Sequence, residues 1–285
     1  MEPLTNISVI RGLLQKYGFR FSKSLGQNFI INPSICPRIA QAGGAAPGVG
    51  VLEIGPGIGV LTRELAARAE QVVAVEIDRR LQPILEETLG EYANAKVIFE
   101  DVMQLDLASL IRREFRTGHL VVCANLPYYI TSPILMRLLE QRLPIDAITV
   151  MVQKEAAARI CAPPGTRQCG AISAAIWYYS TPGQLFPVSK GSFMPAPKVD
   201  SAVIQLKLHQ TPPIHPDDLA LFFRVVKAAF SQRRKSISNS LLQLGGPKPN
   251  LLEAIAEAGI DPAARAETLT LDQFADLSNA IGRIL

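Results

Sequence analysis

Val51-Leu-Glu-Ile-Gly-Pro-Gly-Ile-Gly-Val60 is the stretch of this 285-residue chain whose reading decides the fold. A short apolar run enters Gly55, Gly57 and Gly59, and Thr62–Ala69 follows as a strong helix former. Strand, glycine turn, helix is the context that a nucleotide-binding glycine motif requires. The glycines let a ligand approach the backbone closely. Such a turn alone is weak, but the next strand adds a second sign. Gln71-Val-Val-Ala-Val-Glu-Ile77 ends in an acid, Glu76, 17 residues beyond Gly59. That is near the spacing at which a carboxylate takes ribose hydroxyls. The alternative for Glu76 is a surface acid paired with Arg79 or Arg80.

Outward from there the pattern repeats. Arg80–Tyr92 reads as helix, Lys96–Val102 as a third strand with Asp101 at its end, and Leu107–Phe115 as helix. His119–Ala124 is a fourth, buried strand, Pro133–Glu140 a helix, Ala147–Val152 a fifth strand, and Lys154–Ile160 a helix. Trp177-Tyr-Tyr179 and Leu185-Phe-Pro-Val188 suggest a sixth strand, and Ala202–Leu208 is the last. This βαβ repetition predicts an α/β fold with a seven-stranded, mostly parallel sheet and helices on both faces. Before it, Ile7–Tyr17 has the apolar spacing of a short amphipathic helix, and Phe19–Phe29 is an arm mixing Arg20 and Lys23 with aromatics. Asn32-Pro-Ser34 starts a helix that leads to Gln41. His209–Pro216 is a linker by composition. Leu219–Phe230, Arg234–Leu244, Leu251–Ala258 and Leu271–Ile281 then read as helices with no strand between them. The expected organisation is a basic arm over residues 1–30, a ligand-binding domain over 31–209, and a small helical domain over 210–285.

Composition bounds the function. Hydrophobic residues make up 48% of the chain, enough for a proper core. Cys36, Cys123, Cys161 and Cys169 form no C-x-x-C pair and have no clustered histidine, so they read as reduced, mostly buried thiols rather than a zinc site. No apolar run reaches the roughly 18 residues of a membrane span, and Met1–Gln15 has no signal-peptide core, so a cytoplasmic protein is expected. Residues 1–30 carry four Lys/Arg against one acid, and Arg224, Lys227, Arg233, Arg234 and Lys235 cluster with no acid among them. Two basic patches on a near-neutral body suit a polyanion, although a charge run can equally be a solvated face.

The fourth strand stops at Asn125-Leu-Pro-Tyr128. Pro127 cannot donate a ladder hydrogen bond, so the strand ends there. The Asn125 amide and the Tyr128 ring then fall just past the carboxyl end of a strand, the edge where open α/β sheets bind ligands. Gly55, Glu76, Asp101 and Asn125 thus terminate four successive strands. NAD binding would use the glycines and Glu76 but does not explain Asp101 or Asn125–Tyr128. An acid after the third strand can accept a hydrogen bond from an adenine amino group. That set suits S-adenosylmethionine better than a dinucleotide.

On these residues the chain resembles the ribosomal RNA adenine dimethyltransferases. The resemblance is carried by Ser24-Leu-Gly-Gln-Asn-Phe29, Glu53–Gly59, Glu76, Asp101, Asn125–Tyr128, Phe193-Met-Pro-Ala-Pro-Lys-Val-Asp-Ser201 and Ala229-Phe-Ser-Gln-Arg-Arg-Lys235. It implies a Rossmann-like class I methyltransferase domain with a C-terminal helical domain. It also implies transfer of two methyl groups to N6 of each of two adjacent adenosines in a 3′-terminal hairpin of small-subunit rRNA, in a pre-30S particle, by a monomer. By position, Asn28, Ile30, Gly55, Glu76, Asp101 and Asn125 would line the cofactor pocket, with Glu76 on the ribose and Asp101 on the adenine. Ile30 stands where the family has Leu, and its backbone carbonyl would make the contact. The Asn125 side-chain oxygen and the carbonyl of Leu126 or Pro127 would accept the two N6 hydrogens, while Tyr128 and Phe193 would stack on the base. Arg20, Lys23, Arg233, Arg234 and Lys235 would hold RNA backbone. After Arg233-Arg-Lys235 the chain departs from the family's Thr-Leu-Arg pattern, with one positive charge fewer. The rival readings are a large-subunit adenine N6-methyltransferase and a ribosome-assembly factor with secondary methylation.

Overall fold

A computed structural model describes residues 2–22, 25–232 and 234–284. The chain forms two compact units, Met1–Ala157 with Gly183–Leu208, and Ala158–Pro182 with His209–Leu285.

The first unit opens with helix α1 (Ile7–Lys16), capped by the Asn6 side chain, which accepts the Ser8 N–H. Strand β1 (Phe29–Ile30), helix α2 (Ile35–Ala42), strand β2 (Val49–Ile54) and helix α3 (Val60–Ala66) follow. Next come β3 (Gln71–Glu76), α4 (Gln82–Leu89), β4 (Ala95–Phe99), α5 (Leu107–Glu114), β5 (His119–Asn125), α6 (Thr131–Glu140), β6 (Ala147–Gln153) and α7 (Lys154–Ile160). The large sheet is completed by β7 (Ser180–Val188) and β9 (Ser201–Leu208), with the short β8 (Phe193–Met194) between them in sequence. Its order is β4-β3-β2-β5-β6-β9-β7. The pairs among β4, β3, β2, β5 and β6 are parallel, and β9 runs antiparallel to β6 with Val203 opposite Met151. The central strands are buried on both faces, as the valine-rich runs Val72–Val75 and Leu120–Ala124 require.

The chain moves outward from β2 through β3 to β4, then returns so that β5 pairs with the other side of β2. Between β2 and β5 the winding reverses, and the loops at their carboxyl ends diverge. That is the crevice where such sheets take ligands. The amino-terminal arm is fixed beside it. Lys16 Nζ and the Tyr17 hydroxyl both donate to Glu87 on α4, at 2.8 and 2.6 Å. β1 then pairs antiparallel with β8, setting Phe29 opposite Met194 and Ile30 opposite Phe193.

The second unit is helical: α8 (Ala171–Tyr179), α9 (Leu219–Ala229), α10 (Ile237–Ser240), α11 (Lys248–Glu257) and α12 (Leu271–Gly282). Thr270 and Gln273 cap α12 reciprocally. Its core gathers Phe222, Phe274, Leu277 and Tyr178. Two expectations are corrected here. Trp177–Tyr179 is the last turn of α8, not a strand, because Ala171–Ile176 is helix-forming and the aromatic cluster continues it. Tyr178 and Tyr179 pack against Phe222 and Phe223. The boundary at 209/210 also leaves out one piece: residues 158–182 cluster with the helical unit, and the chain re-enters the sheet through β7.

Candidate cofactor and base-binding cleft

A cleft of about 1070 Å³, open to solvent, lies at the carboxyl ends of β2, β3 and β5. Among its walls are Asn28, Ile30, Gly55, Glu76, Asp101 and Asn125–Tyr128. The structure therefore brings the six expected cofactor residues and the four-residue motif after β5 to one place.

The floor is the glycine turn. Gly55, Gly57 and Gly59 all have left-handed backbones, with φ of 73°, 59° and 89°. A Cβ at Gly57 would stand 3.2 Å from the Phe29 ring, so both conformation and space call for glycine there. Gly57→Ala is expected to push Phe29 away from the turn and weaken S-adenosylmethionine binding by about tenfold, from a conformational cost of roughly 1–2 kcal/mol. Calorimetric titration of the variant checks this.

Glu76 is only 5% exposed, which removes the reading of it as a surface acid. Arg80 pairs with Asp78 instead, at 2.6 Å, and Arg79 donates to the Phe99 carbonyl. The Glu76 carboxylate accepts the Asp78 amide at 2.8 Å through Oε1 and the Gly57 amide at 3.2 Å through Oε2. Burial pushes its pKa up, and those amides partly offset the shift. Each oxygen keeps a lone pair free, enough for the two hydroxyls of a ribose. Asp101 accepts the Met103 amide through Oδ1 alone, which leaves Oδ2 for a donor in the cleft. Ile77, beside Glu76, is an exposed apolar side chain on the wall between these acids. Glycines that admit a close backbone approach, a ribose-competent carboxylate, an apolar wall and a second carboxylate fit an adenosine-bearing cofactor.

At the other end of the cleft, the Asn125 side chain donates through Nδ2 to the Asn28 carbonyl at 3.3 Å. A carbonyl can only accept, so this bond fixes the amide's orientation and leaves Oδ1 uncommitted. The Pro127 carbonyl is occupied by the Ile130 amide at 3.2 Å and the Thr131 hydroxyl at 3.3 Å. The Leu126 carbonyl has no hydrogen bond among the described residues. Of the two carbonyls named from sequence, the available one is thus Leu126. The Tyr128 hydroxyl is bound to Ser201 Oγ at 2.7 Å, and burial raises its pKa.

Phe193 is a correction. It is 3% exposed, pairs through β8 with Ile30 in β1, and belongs to the core cluster rather than the cleft wall. A ring in that position supports the strand carrying Ile30. Lys23, Ser24 and Arg233 lie outside the described residues. Arg20, Arg234 and Lys235 are exposed.

Three residues near the cleft had no role in the sequence reading. Gln27 donates to Asp78 at 2.7 Å and accepts the Ser22 amide, tying the arm to the ribose end. Two oppositely placed polar residues 51 positions apart carry no periodic signal. Glu53, inside the glycine motif itself, is 1% exposed and its pKa is raised to about 8 by burial, with Glu76 adding repulsion. Thr62 is near enough to temper that shift. The geometry nevertheless leaves Glu53 Oε2 and Thr62 Oγ1 without a hydrogen bond, so burial dominates. Tyr129 stands at the mouth, 61% exposed.

Comparison with known proteins agrees with this geometry. The ribosomal RNA adenine dimethylase family model matches residues 18–282. The ribosomal RNA small subunit methyltransferase A of Geobacillus sp. (strain WCH70) is 48% identical over 281 residues, covering 96% of each chain. That of Alkaliphilus oremlandii (strain OhILAs) is 45% identical across the whole of both chains. Among solved structures, the 23S rRNA methyltransferase ErmE is 29% identical with a TM-score of 0.68, over 90% of this chain and 100% of that one. A dimethyladenosine transferase from Plasmodium falciparum shares the fold, with a TM-score of 0.73 at 23% identity over 87% of this chain and 95% of that one. With the glycine turn, the two carboxylates and the oriented asparagine in one cleft, and a family model spanning nearly the whole chain, this protein belongs to the ribosomal RNA adenine dimethylase family.

Proposed function

We propose that this enzyme transfers methyl groups from S-adenosylmethionine to N6 of two adjacent adenosines in the 3′-terminal hairpin of small-subunit rRNA. It would work as a monomer on a pre-30S particle and produce N6,N6-dimethyladenosine. The observation that carries the reading is the Asn125 amide, whose nitrogen is committed to the Asn28 carbonyl. Its oxygen and the Leu126 carbonyl are left without a hydrogen bond among the described residues, and both residues line the cleft. The small-subunit names of relatives 45–48% identical over nearly the full length favour this substrate over the large-subunit alternative.

When bound, S-adenosylmethionine supplies a methyl group already activated on a sulfonium. The nucleophile is the weaker partner, because the N6 lone pair is delocalised into the purine. Asn125 Oδ1 and the Leu126 carbonyl accept the two N6 hydrogens, and this draws the nitrogen towards sp³ and aims its lone pair. Orientation of this kind can lower a barrier by up to roughly 7–11 kcal/mol. No charged base is needed before transfer. On accepting the methyl, N6 becomes cationic and releases one of its two protons to solvent, while the sulfur keeps the electron pair of the broken bond as a neutral thioether. A single N–H remains, so one acceptor suffices and the base must turn between rounds.

Glu76 grips the ribose and Asp101 the adenine of the cofactor. The Tyr128 ring, anchored through its hydroxyl, offers one face to the extruded base, while Phe193 backs the strand that presents the Ile30 carbonyl. Arg20, Lys23, Arg233, Arg234 and Lys235 contact phosphates, which gives salt-dependent affinity without base reading.

Incubation of unmodified small subunits with labelled S-adenosylmethionine, followed by mass spectrometry of nuclease fragments, tests the proposal. Two dimethyladenosines side by side are expected. No label in the small-subunit RNA refutes it, whether label appears when large subunits are offered instead or with neither. Glu76→Gln keeps hydrogen-bonding capacity but loses the charge, and is expected to raise the Kd for S-adenosylmethionine by about tenfold. An unchanged Kd by calorimetry removes Glu76 from the cofactor site.

A further inference from the structure

We propose that Tyr129 is a stacking platform for the nucleotide next to the one held in the cleft, and so a determinant of substrate recognition. This rests on the reading above that the target is a pair of neighbouring adenosines.

Tyr128 and Tyr129 share one turn of 3₁₀ helix, Tyr128–Ile130, and have opposite surroundings. Tyr128 is half-buried with its hydroxyl bound to Ser201. Tyr129 is 61% exposed, the only aromatic among the large exposed apolar side chains of the described residues. Its place is nevertheless fixed. The Ile130 amide and the Thr131 hydroxyl both close on the Pro127 carbonyl, which sets the backbone of the turn. One edge of the ring faces Gly26 of the arm across a gap that a Cβ would fill, with Cδ1 and Cε1 3.5 and 3.6 Å from where that atom would sit. The arrangement leaves the rest of the ring open to water at the mouth of the cleft.

A lone exposed tyrosine on a protein surface needs no explanation. This one is on the rim, adjacent to the motif that receives the base. Extruding one adenosine of a pair necessarily brings its neighbour to that rim with one stacking face uncovered. A π surface is the chemistry that recognises a purine there, and it serves either base of the pair because stacking does not read sequence.

The test compares Tyr129→Ala and Tyr129→Phe with the parent enzyme on unmodified small subunits. Tyr129→Ala is expected to raise KM for the subunit about fivefold or more, the low end of what loss of one stacked base implies, with a smaller change in kcat. Tyr129→Phe keeps the ring and is expected to stay near the parent KM. Fluorescence of 2-aminopurine placed beside the target adenosine should be quenched by the parent and by Tyr129→Phe, and not by Tyr129→Ala. A parent-like KM for Tyr129→Ala overturns the proposal. So does equal impairment of the two variants, which would assign the effect to the hydroxyl. A matching rise in the Kd for S-adenosylmethionine also overturns it, since the ring would then serve the cofactor. If the parent binds S-adenosylmethionine but methylates no small-subunit adenosine, the functional reading itself has failed and the proposal falls with it.

Discussion

Asn125→Ala is expected to bind S-adenosylmethionine to within a few-fold of the parent and to methylate adenosine roughly 10²–10³-fold more slowly, the loss typical of removing one preorganised hydrogen-bonding group. The reason is geometric. The Asn28 carbonyl takes the amide nitrogen and so leaves Oδ1 as the free acceptor that the proposed mechanism uses. Alanine removes that acceptor and leaves only the Leu126 carbonyl. Asn125→Asp sharpens the test. It restores an oxygen of the same reach but cannot donate to Asn28, so a carboxylate faces a carbonyl and the side chain must rotate. Its activity is expected to be nearly as low as that of alanine. Single-turnover kinetics with calorimetry on the same samples separates binding from chemistry. Full-speed dimethylation by Asn125→Ala would remove the amide from the mechanism.

Glu53→Gln is expected to flatten the pH dependence of stability between about pH 5 and 8. Burial holds the Glu53 carboxyl at about 8 in the fold, with Glu76 contributing repulsion. An unfolded chain titrates the same group near 4.3. The folded form therefore binds the proton more tightly. Its advantage is complete below the unfolded pKa and is lost progressively as pH rises towards 8. Over that window the slope contributed by one such group approaches about 1.4 kcal/mol per pH unit, for a total on the order of 5 kcal/mol. Glutamine does not titrate, so urea unfolding at pH 5, 6.5 and 8 should show the parent losing stability relative to the variant at each step. The slopes carry the test, because a buried amide brings its own desolvation cost. Parallel curves would mean that Glu53 is ionised in the fold.

The parts of the fold visible in the sequence are those with a local signature. The valine-rich strands, the glycine turn and the acids at strand ends are each short-range patterns. They are enough to place Gly55, Glu76, Asp101 and Asn125 at one sheet edge. Where the reading failed, the deciding contact was distant. Trp177-Tyr-Tyr179 has strand-like composition, but its partners are Phe222 and Phe223, more than 40 positions on, and they make it the end of a helix. Phe193 sits in a motif that invites a stacking role. Its two-residue strand is too short for any period to show, and only pairing with Ile30 reveals that the ring faces the core. The choice between the Leu126 and Pro127 carbonyls likewise depended on Ile130 and Thr131 folding back on Pro127.

The union of β1 with β8 has a consequence for biosynthesis. Phe29 leaves the ribosome early, whereas its partner Met194 follows only after most of the sheet has been translated. Until then the segment bearing Asn28 and Ile30 has its contacts with Asp78, Asn125 and the glycine turn within reach but lacks its strand partner. A nascent chain thus completes the β1 wall of its cleft late. A product truncated ahead of β8 would keep the nucleotide-binding signature and still lack a finished pocket.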